Sequence, residues 1–212
     1  MRKSRLQTAA TRARIVDAAR AQFRRDGIDG SGLTGLMAAA GMTQGGFYKH
    51  FESKAQLVAQ ATTAAVDELL TVLEQLPPQT GDAGAFKSTV LGYLSAAHRD
   101  GVSGCPYAAM GSELARGDEQ VRRAGVDGFE RMIQLLSRQL QTTAGSGARD
   151  QALLTLCAMM GALTVSRMAK GQGLAEELLA AVSRQLSEHA GCRPERDAGS
   201  PRDPCESAAT ND

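Results

Sequence analysis

Large aromatic side chains are scarce in this chain. Its 212 residues include no tryptophan, three tyrosines and five phenylalanines, so a buried core has to be built mainly from aliphatic side chains. The apolar segments also lack the strict alternation of apolar and polar residues that marks half-buried strands. Alanine, leucine, methionine and glycine prevail instead. The composition therefore predicts an all-α protein, with enough residues for one large or two small domains.

The few cysteines and the short apolar runs exclude several classes of protein. Four cysteines lie far apart and form no Cys-x-x-Cys pair, so we expect no zinc site, no disulfide framework and no cofactor. The N-terminus, Met-Arg-Lys-Ser-Arg, does not continue into an apolar signal core. The longest uncharged stretch, residues 151–166, is shorter than the roughly 20 apolar residues that span a bilayer. We expect a cytoplasmic protein with no membrane partner.

Negative charge is sparse in the first part of the chain. Residues 1–60 hold ten lysines and arginines against four acidic residues, a net charge of +6. Residues 61–212 hold fourteen against nineteen, a net charge of −5. This asymmetry predicts an anionic partner for the N-terminal part alone, and nucleic acid fits better than a membrane surface.

Residues 33–51 predict two short helices joined by a tight turn. The first, over residues 33–40, is rich in alanine, which favours helix. Gly41 supplies the left-handed residue that commonly ends a helix, and Thr43 is expected to cap the second helix over residues 43–50. A unit of this size is the shape that lays its second helix in the DNA major groove. The alternative is a glycine-weakened surface helix in some other all-α protein.

The residues of the second helix suit contact with DNA. Phe47 and Phe51, four residues apart, are expected to hold the helix to the core. Glycine at position 45 lets the backbone approach a phosphate strand closely, and the residues at the start of the helix can reach base edges. Lys54, at the start of the next helix, is placed to hold a phosphate. The candidate DNA-binding residues are Thr43, Gln44, Gly45, Tyr48, Lys49, His50 and Lys54.

The stretch from Gly41 to Lys54, Gly-Met-Thr-Gln-Gly-Gly-Phe-Tyr-Lys-His-Phe-Glu-Ser-Lys, followed by Leu57, resembles the signature of the TetR family of transcriptional repressors. The resemblance covers about residues 10–60; beyond them it extends only to the helical layout. It implies a homodimer that binds double-stranded operator DNA, with contacts from positions 43, 44, 48, 50 and 54. It also implies release from DNA by a small-molecule inducer, to which we add thiol modification as a second possible trigger.

The chain divides into three predicted regions. Residues 1–55 form a three-helix DNA-binding domain with a basic N-terminal arm, 56–190 a ligand-binding and dimerisation domain, and 191–212 a disordered tail with three prolines and no apolar period. About nine helices are expected in all. They are predicted over residues 10–26, 33–40, 43–50, 53–76, 85–99, 106–117, 118–142, 149–169 and 174–189.

The last two predicted helices suit a dimer interface. The helix over residues 149–169 is apolar on more than one face, so it is expected to be covered on both sides. Two such helices from each protomer can form a four-helix bundle. The alternative is that both complete the core of the monomer. The candidate interface residues are Leu153, Cys157, Gly161, Leu163, Leu178, Val182 and Leu186.

A ligand pocket is expected among the helices of the second domain, although methionine and aromatic side chains at helical spacing are more often plain core. The candidate lining residues are Phe86, Tyr93, His98, Cys105, Tyr107, Met110, Phe129, Met132 and Met160. Cys105 begins a predicted helix, where the free N–H groups can lower a thiol pKa and make it a sensor. The alternatives are a structural thiol and a thiol enzyme with His98 as base.

Overall fold

The protein is described here from a computed structural model, which covers residues 5–101 and 104–190. The described residues form nine α-helices and two 3-10 helices and contain no strand, which confirms the all-α prediction. The α-helices are α1 (Arg5–Asp26), α2 (Leu33–Ala39), α3 (Lys54–Glu74), α4 (Gly84–Tyr93), α5 (Ala96–Asp100), α6 (Pro106–Arg116), α7 (Glu119–Ala144), α8 (Ala148–Met168) and α9 (Gly173–Glu188). The 3-10 helices are η1 (Gln44–Lys49) and η2 (Gly145–Gly147).

The N-terminal helices bury apolar side chains in the continuous core of the protomer. Ile15 and Phe23 of α1, Leu36 of α2 and Phe47 of η1 are all buried in its N-terminal part. Because α2 and η1 are too short to be stable alone, they depend on packing, α2 against α1 and η1 against α2. This packing therefore fixes the position of the turn between them.

Helix α3 connects the N-terminal part of the core to the rest. Ser53 caps it, with its hydroxyl oxygen accepting a hydrogen bond from the Gln56 backbone N–H at 3.1 Å. Leu57 and Val58 near its start pack with the N-terminal core, while Leu69 and Leu73 near its end lie in the core shared with α7. One continuous helix thus joins the two halves of the protomer.

Helices α7 and α8 form the centre of the larger half. The stretch Glu119–Met168 contains an 18-residue window with a mean hydropathy of 1.2, apolar enough for a membrane by length and composition. It is not one helix, because η2 separates α7 from α8. Each of the two helices contributes a buried side to the shared core, which includes Leu136 and Leu156. We therefore assign the stretch to core helices.

Two of the predicted helix boundaries were wrong. The helix expected over residues 85–99 is divided into α4 and α5, because the Ser95 hydroxyl caps α5 by accepting a hydrogen bond from His98 N–H at 3.1 Å. At the N-terminus, residues 5–10 of the expected basic arm belong to α1. The tail predicted for residues 191–212, with Cys192 and Cys205, lies outside the described residues.

Candidate nucleic-acid interface

Residues 41–51, here called the reader segment, form a tight turn followed by η1. Gly41 has φ +71°, so the left-handed helix end predicted from the sequence is present. Thr43 has an extended backbone (φ −83°, ψ 149°), but its side chain makes no capping hydrogen bond. The second helix is 3-10 rather than α-helical. Two adjacent glycines, Gly45 and Gly46, give little support to a regular α-helix here.

The reader segment is held to the protein by its two phenylalanines. Phe47 and Phe51 are buried, and their rings stack with centroids 5.5 Å apart. Tyr48 lies edge-on to Phe47 at 5.1 Å, yet its own side chain is 70% exposed. The buried pair therefore fixes η1 and leaves the tyrosine directed at solvent, in agreement with the predicted division of roles.

Arg12 of α1 also belongs to this site. Its guanidinium lies 4.3 Å from the centroid of the Phe51 ring and donates a hydrogen bond to Gln60 Oε1 of α3 at 3.1 Å. It also donates to the backbone carbonyl of His50. One side chain thus ties the end of the reader segment to two helices. No sequence pattern signals this contact, because the partners are 38 and 48 residues away.

Most of the predicted DNA-binding residues lie on the open side of the reader segment. Exposed are Thr43, Gln44, Gly45, Tyr48 and Lys49, whereas His50 and Lys54 are half-buried. A Cβ added at Gly45 would meet no atom within 4 Å, so the backbone there is open to an approaching strand.

Two of these side chains already have partners within the protein. Gln44 Oε1 accepts a hydrogen bond from the Thr34 hydroxyl of α2 at 2.7 Å, which fixes its direction. The Lys54 ammonium donates to the backbone carbonyl of Ile28 at 2.7 Å. Lys54 therefore also stabilises the connection between α1 and α2, a contact that its sequence position did not predict.

The predicted ligand-lining residues separate into three groups. Tyr107 and Phe129 border an apolar groove of about 380 Å³ between α6 and α7, with their rings edge-on at 5.6 Å. His98 and Met160 are half-buried. The remaining members of the predicted set are buried in the protomer core: Phe86, Tyr93, Cys105, Met110 and Met132.

Of the interpretations considered for Cys105, the geometry does not support the sensor with a thiol pKa lowered by the helix N-terminus. The side chain is completely buried, and this burial raises its pKa. The Tyr93 hydroxyl and the backbone N–H groups of Tyr107 and Ala108 lower the pKa by less than burial raises it. Cys157 is exposed in the protomer. A reactive thiolate at Cys105 has no support in this geometry.

The same geometry gives no support to the thiol enzyme. A base partner for Cys105 would have to accept a proton near neutral pH, but burial and the positive charges of Arg167 and Arg24 lower the pKa of His98 to about 4. Among residues 5–101 and 104–190, no three His, Cys, Asp or Glu side chains are grouped so as to hold a metal ion.

The predicted dimer residues of α8 and α9 also differ in how deeply they are buried in the protomer. Leu163 is fully buried in the core of its own protomer, so its assignment to an interface was wrong. Half-buried and packed against the same core are Leu153, Leu178, Val182 and Leu186. Cys157 and Gly161 are exposed. They belong to a stripe at helical spacing on one side of α8, here called the α8 face, which consists of Leu154, Cys157, Gly161, Val165 and Met168.

Comparison with known families agrees with the position of the reader segment. Residues 15–61 match the family described as "Bacterial regulatory proteins, tetR family". Residues 92–185 match a second family, "Transcriptional regulator LmrA/YxaF-like, C-terminal domain". The two matches cover both the N-terminal part of the core and most of the larger half.

Individual relatives give the same result. Over 97 residues, or 46% of this chain, it is 32% identical to the HTH-type transcriptional regulator SrpR of Pseudomonas putida, of which the match spans 44%. The uncharacterised HTH-type transcriptional regulator TtgW, also of Pseudomonas putida, is likewise 32% identical over 97 residues, which are 46% of this chain and 70% of TtgW.

A solved structure of a TetR-family regulator from Agrobacterium tumefaciens superposes with a TM-score of 0.71 at 19% identity, covering 87% of this chain and 99% of that one. At this identity, the superposition establishes the fold alone. Together with the sequence matches to both halves, it leads to one assignment. The chain belongs to the TetR family of DNA-binding, helix-turn-helix transcriptional regulators.

Proposed function

We propose that this protein is a homodimeric, ligand-responsive repressor that binds double-stranded operator DNA through the reader segment. The observation that carries the proposal is the arrangement of η1. Its apolar side chain Phe47 is buried and the helix packs against α2, while its polar side chains point to solvent at one end of a chain segment with a net charge of +6. An exposed, rigidly held and basic surface of this kind suits the phosphate-lined major groove.

Different roles are proposed for the residues of the reader segment. Thr43 and Gln44, at the start of η1, are assigned to base edges, and the hydrogen bond from Thr34 would hold Gln44 in one direction. Tyr48 and Lys49 are assigned to phosphates. His50 and Lys54, both half-buried, are also assigned to phosphates, and Lys54 would have to exchange its hydrogen bond with Ile28 for one.

The α8 face is the proposed dimer surface. Leu154 and Met168 at its ends are 70% and 79% exposed, a poor arrangement for large apolar side chains in water. Gly161 at its centre allows close approach of a second helix. Leu174 at the start of α9 is a further exposed apolar side chain. Packing α8 and α9 of two protomers together would bury these residues in a four-helix interface.

The groove between α6 and α7 is the proposed inducer site. It is apolar, and Tyr107 and Phe129 offer flat surfaces to a ligand. Helix α7 packs against α3, which begins beside the reader segment. A ligand in the groove would change DNA affinity only if it bound more tightly to one orientation of α3 than to another. We propose this binding in place of thiol modification as the releasing event.

Two further features complete the proposal. The protein acts by binding alone, without catalysis, because Cys105 and His98 have neither the accessibility nor the pKa values of a thiol catalyst. Its place of action is the cytoplasm, where its operator DNA lies.

Selection of DNA from a random library by the purified protein tests this function. We expect an enriched sequence with two related half-sites, to which Tyr48→Ala and Lys49→Ala bind more weakly. For Lys49→Ala, the dependence of affinity on salt should become shallower by about one slope unit. Thr71→Ala, an exposed change far along α3, is the matched control and should leave affinity unaltered. Recovery of no enriched sequence would contradict the proposal.

A further inference from the structure

A cavity of about 550 Å³ lies between the DNA-binding half and the larger half of the protomer. Its walls come from the last turns of α1, at Ala21, Arg24 and Arg25, and from α5, α6 and α8. The volume falls within the range of roughly 300–1,000 Å³ common for small-molecule sites. Neither the reader segment nor the aromatic pair of the α6–α7 groove borders it. It is therefore a separate site.

The walls of this cavity are strongly basic. Four arginines border it, namely Arg24, Arg25, Arg99 and Arg167, whereas Asp100 is the single bordering carboxylate. The side chains of Arg24 and Arg99 are 6% and 7% exposed. Removing a guanidinium from water is costly unless anions replace the lost hydration, so the carboxylates available to each arginine decide the character of the site.

On the α1 side, Arg24 is the arginine that is least completely paired. Arg24 and Arg20 share Glu68, with their Nη1 atoms 3.3 Å and 2.6 Å from the same oxygen, Oε2, and Arg20 also lies 3.7 Å from Asp17 Oδ1. Arg24 donates to the Gly104 carbonyl at 3.3 Å, but its Nε is buried and has no hydrogen-bond partner among the described residues. Burial lowers the pKa of Arg24, and the charge of Arg20 lowers it further against the opposing effect of Glu68. The α1 wall therefore presents a buried guanidinium that shares its carboxylate and is not fully hydrogen-bonded.

On the opposite side of the cavity, Arg167 is the arginine that lacks a carboxylate partner among the described residues. Arg99 has two carboxylates, with nitrogens 3.0 Å from both Asp100 Oδ2 and Glu176 Oε1. Arg167 instead donates through Nε to the backbone carbonyl of Arg99 at 3.1 Å. In residues 5–101 and 104–190, no carboxylate lies within ion-pair distance of Arg167.

The total around the cavity is an excess of positive charge. The bordering arginines and their neighbours amount to six cations: Arg20, Arg24, Arg25, Arg99, Arg167 and Lys170. Five carboxylates pair with them: Asp17, Asp26, Glu68, Asp100 and Glu176. The low pKa of nearby His98 has burial as its main cause, with Arg167 and Arg24 adding to it. One positive charge thus remains for an anion from solution.

We propose that this cavity binds a small organic carboxylate, with its charged end between Arg24 and Arg167 and its apolar body against Ala21, Ala108 and Ala109. Arginine is suited to this task because its planar group binds a carboxylate through two parallel hydrogen bonds. Met168 on the rim also ends the α8 face, so in the proposed dimer this side of the cavity lies beside the partner subunit.

Such a ligand would contact both halves of the protomer at once. Arg24 belongs to α1, which carries Arg12 and the reader core, whereas Arg167 belongs to α8. A carboxylate between them would favour the one orientation of α1 relative to α8 that brings both guanidinium groups to it. This regulatory consequence rests on the proposed repressor function, but binding of the carboxylate does not.

Calorimetric titration of the full-length protein without DNA tests the site. The probes are octanoate and benzoate, each compared with its uncharged amide, in a buffer of low ionic strength. We expect each carboxylate to bind about tenfold or more tightly than its amide, the scale of a charged hydrogen bond. Arg167→Gln should remove this preference, whereas Arg138→Gln, an exposed change on α7, should preserve it. Because no DNA is present, failure here leaves the repressor proposal intact.

A second variant covers the case in which Arg167→Gln does not fold. Arg25 is 70% exposed, so Arg25→Glu is compatible with folding and should weaken octanoate binding severalfold. Bound octanoate should also raise the pKa of His98, measured by NMR, by placing a negative charge near it. Equal affinity for carboxylate and amide, no saturation by about 10 mM of either acid, or wild-type affinity in both arginine variants would each overturn the proposal.

Discussion

At the scale of single residues, Arg12 gives the reader segment its fixed position. Its guanidinium packs on the Phe51 ring and donates hydrogen bonds to the His50 carbonyl and to Gln60 of α3. A 3-10 helix of six residues has little stability of its own. We therefore expect the arginine to contribute to DNA binding without touching DNA.

Replacing Arg12 by alanine should lower the free energy of unfolding by about 1–3 kcal/mol, because a half-buried carbonyl loses its donor and the ring loses its cation. Operator affinity should fall as the end of η1 becomes mobile. Denaturant unfolding and fluorescence anisotropy measure the two effects. Arg14→Ala, on an exposed position of the same helix, should change stability by less than about 0.5 kcal/mol. Equal destabilisation by both changes would contradict the role of Arg12.

His98 predicts a dependence of stability on pH. Burial, with Arg167 and Arg24, lowers its pKa from 6.5 to about 4. Between these two values the unfolded chain binds a proton that the folded protein does not, so acidification favours unfolding. The native protein should lose up to about 3 kcal/mol as the pH falls from about 6.5 to 4. Above about pH 6.5, His98 is neutral in both the folded and the unfolded state, and stability is no longer reduced by its protonation.

The check is denaturant unfolding at several pH values for the wild type and two variants. His98→Gln should flatten the pH dependence, whereas His189→Gln, on an exposed position, should retain it. A His98→Gln protein with the same loss of stability on acidification would contradict the assignment.

At the scale of helices, α3, α6 and α7 approach one another closely at Gly128. A Cβ added at Gly128 of α7 would lie 2.5 Å from the Tyr107 hydroxyl and 2.9 Å from Val66 Cγ2 of α3. The same hydroxyl donates to the Gly125 carbonyl at 2.8 Å. A movement of α6 or α7 at the proposed inducer groove would therefore displace α3 directly.

Two glycine replacements on α7 should have opposite effects. Gly128→Ala should lower the free energy of unfolding by about 1–2 kcal/mol, because overpacking outweighs the gain in helix propensity. Gly125→Ala meets no atom closer than 4.0 Å and should raise it by up to about 1 kcal/mol. Thermal unfolding of the two variants measures both changes in stability. Stabilisation by Gly128→Ala would contradict the close approach of the helices at this position.

Periodicity in the sequence predicted the helices well where each has a long apolar stripe, as in α3, α7 and α8. It failed where short-range hydrogen bonds compete with the helix, as at Ser95, and where glycine pairs weaken it, as in η1. The stripe of α8 did not reveal which side faces the core, because Leu163 and Val165 are equally apolar in sequence. Only the packing distinguishes the buried leucine from the exposed valine.

The candidate site was predictable to a similar degree. The local motif located the reader segment, its Gly41 turn and its two phenylalanines. The motif could not reveal contacts between distant parts of the chain, such as those of Arg12 and of the four arginines of the cavity. These depend on how α1 meets α3, α5 and α8, which no spacing within one helix records.

At the scale of the whole molecule, the account depends on two reader segments acting together. The α8 face would join the protomers, and each would place one η1 in a major groove, with the two grooves about 34–36 Å apart. A monomer would have only half of this contact. Cooperation between the two halves is therefore the central claim about how the protein binds DNA.

The most direct test is the affinity of the wild-type protein for its selected DNA with and without five base pairs inserted between the half-sites. Five base pairs rotate one half-site by about half a turn of the duplex. We predict that the insertion weakens binding by about two orders of magnitude or more, to the affinity of a single half-site. Undiminished affinity for the DNA with the insertion would contradict the account.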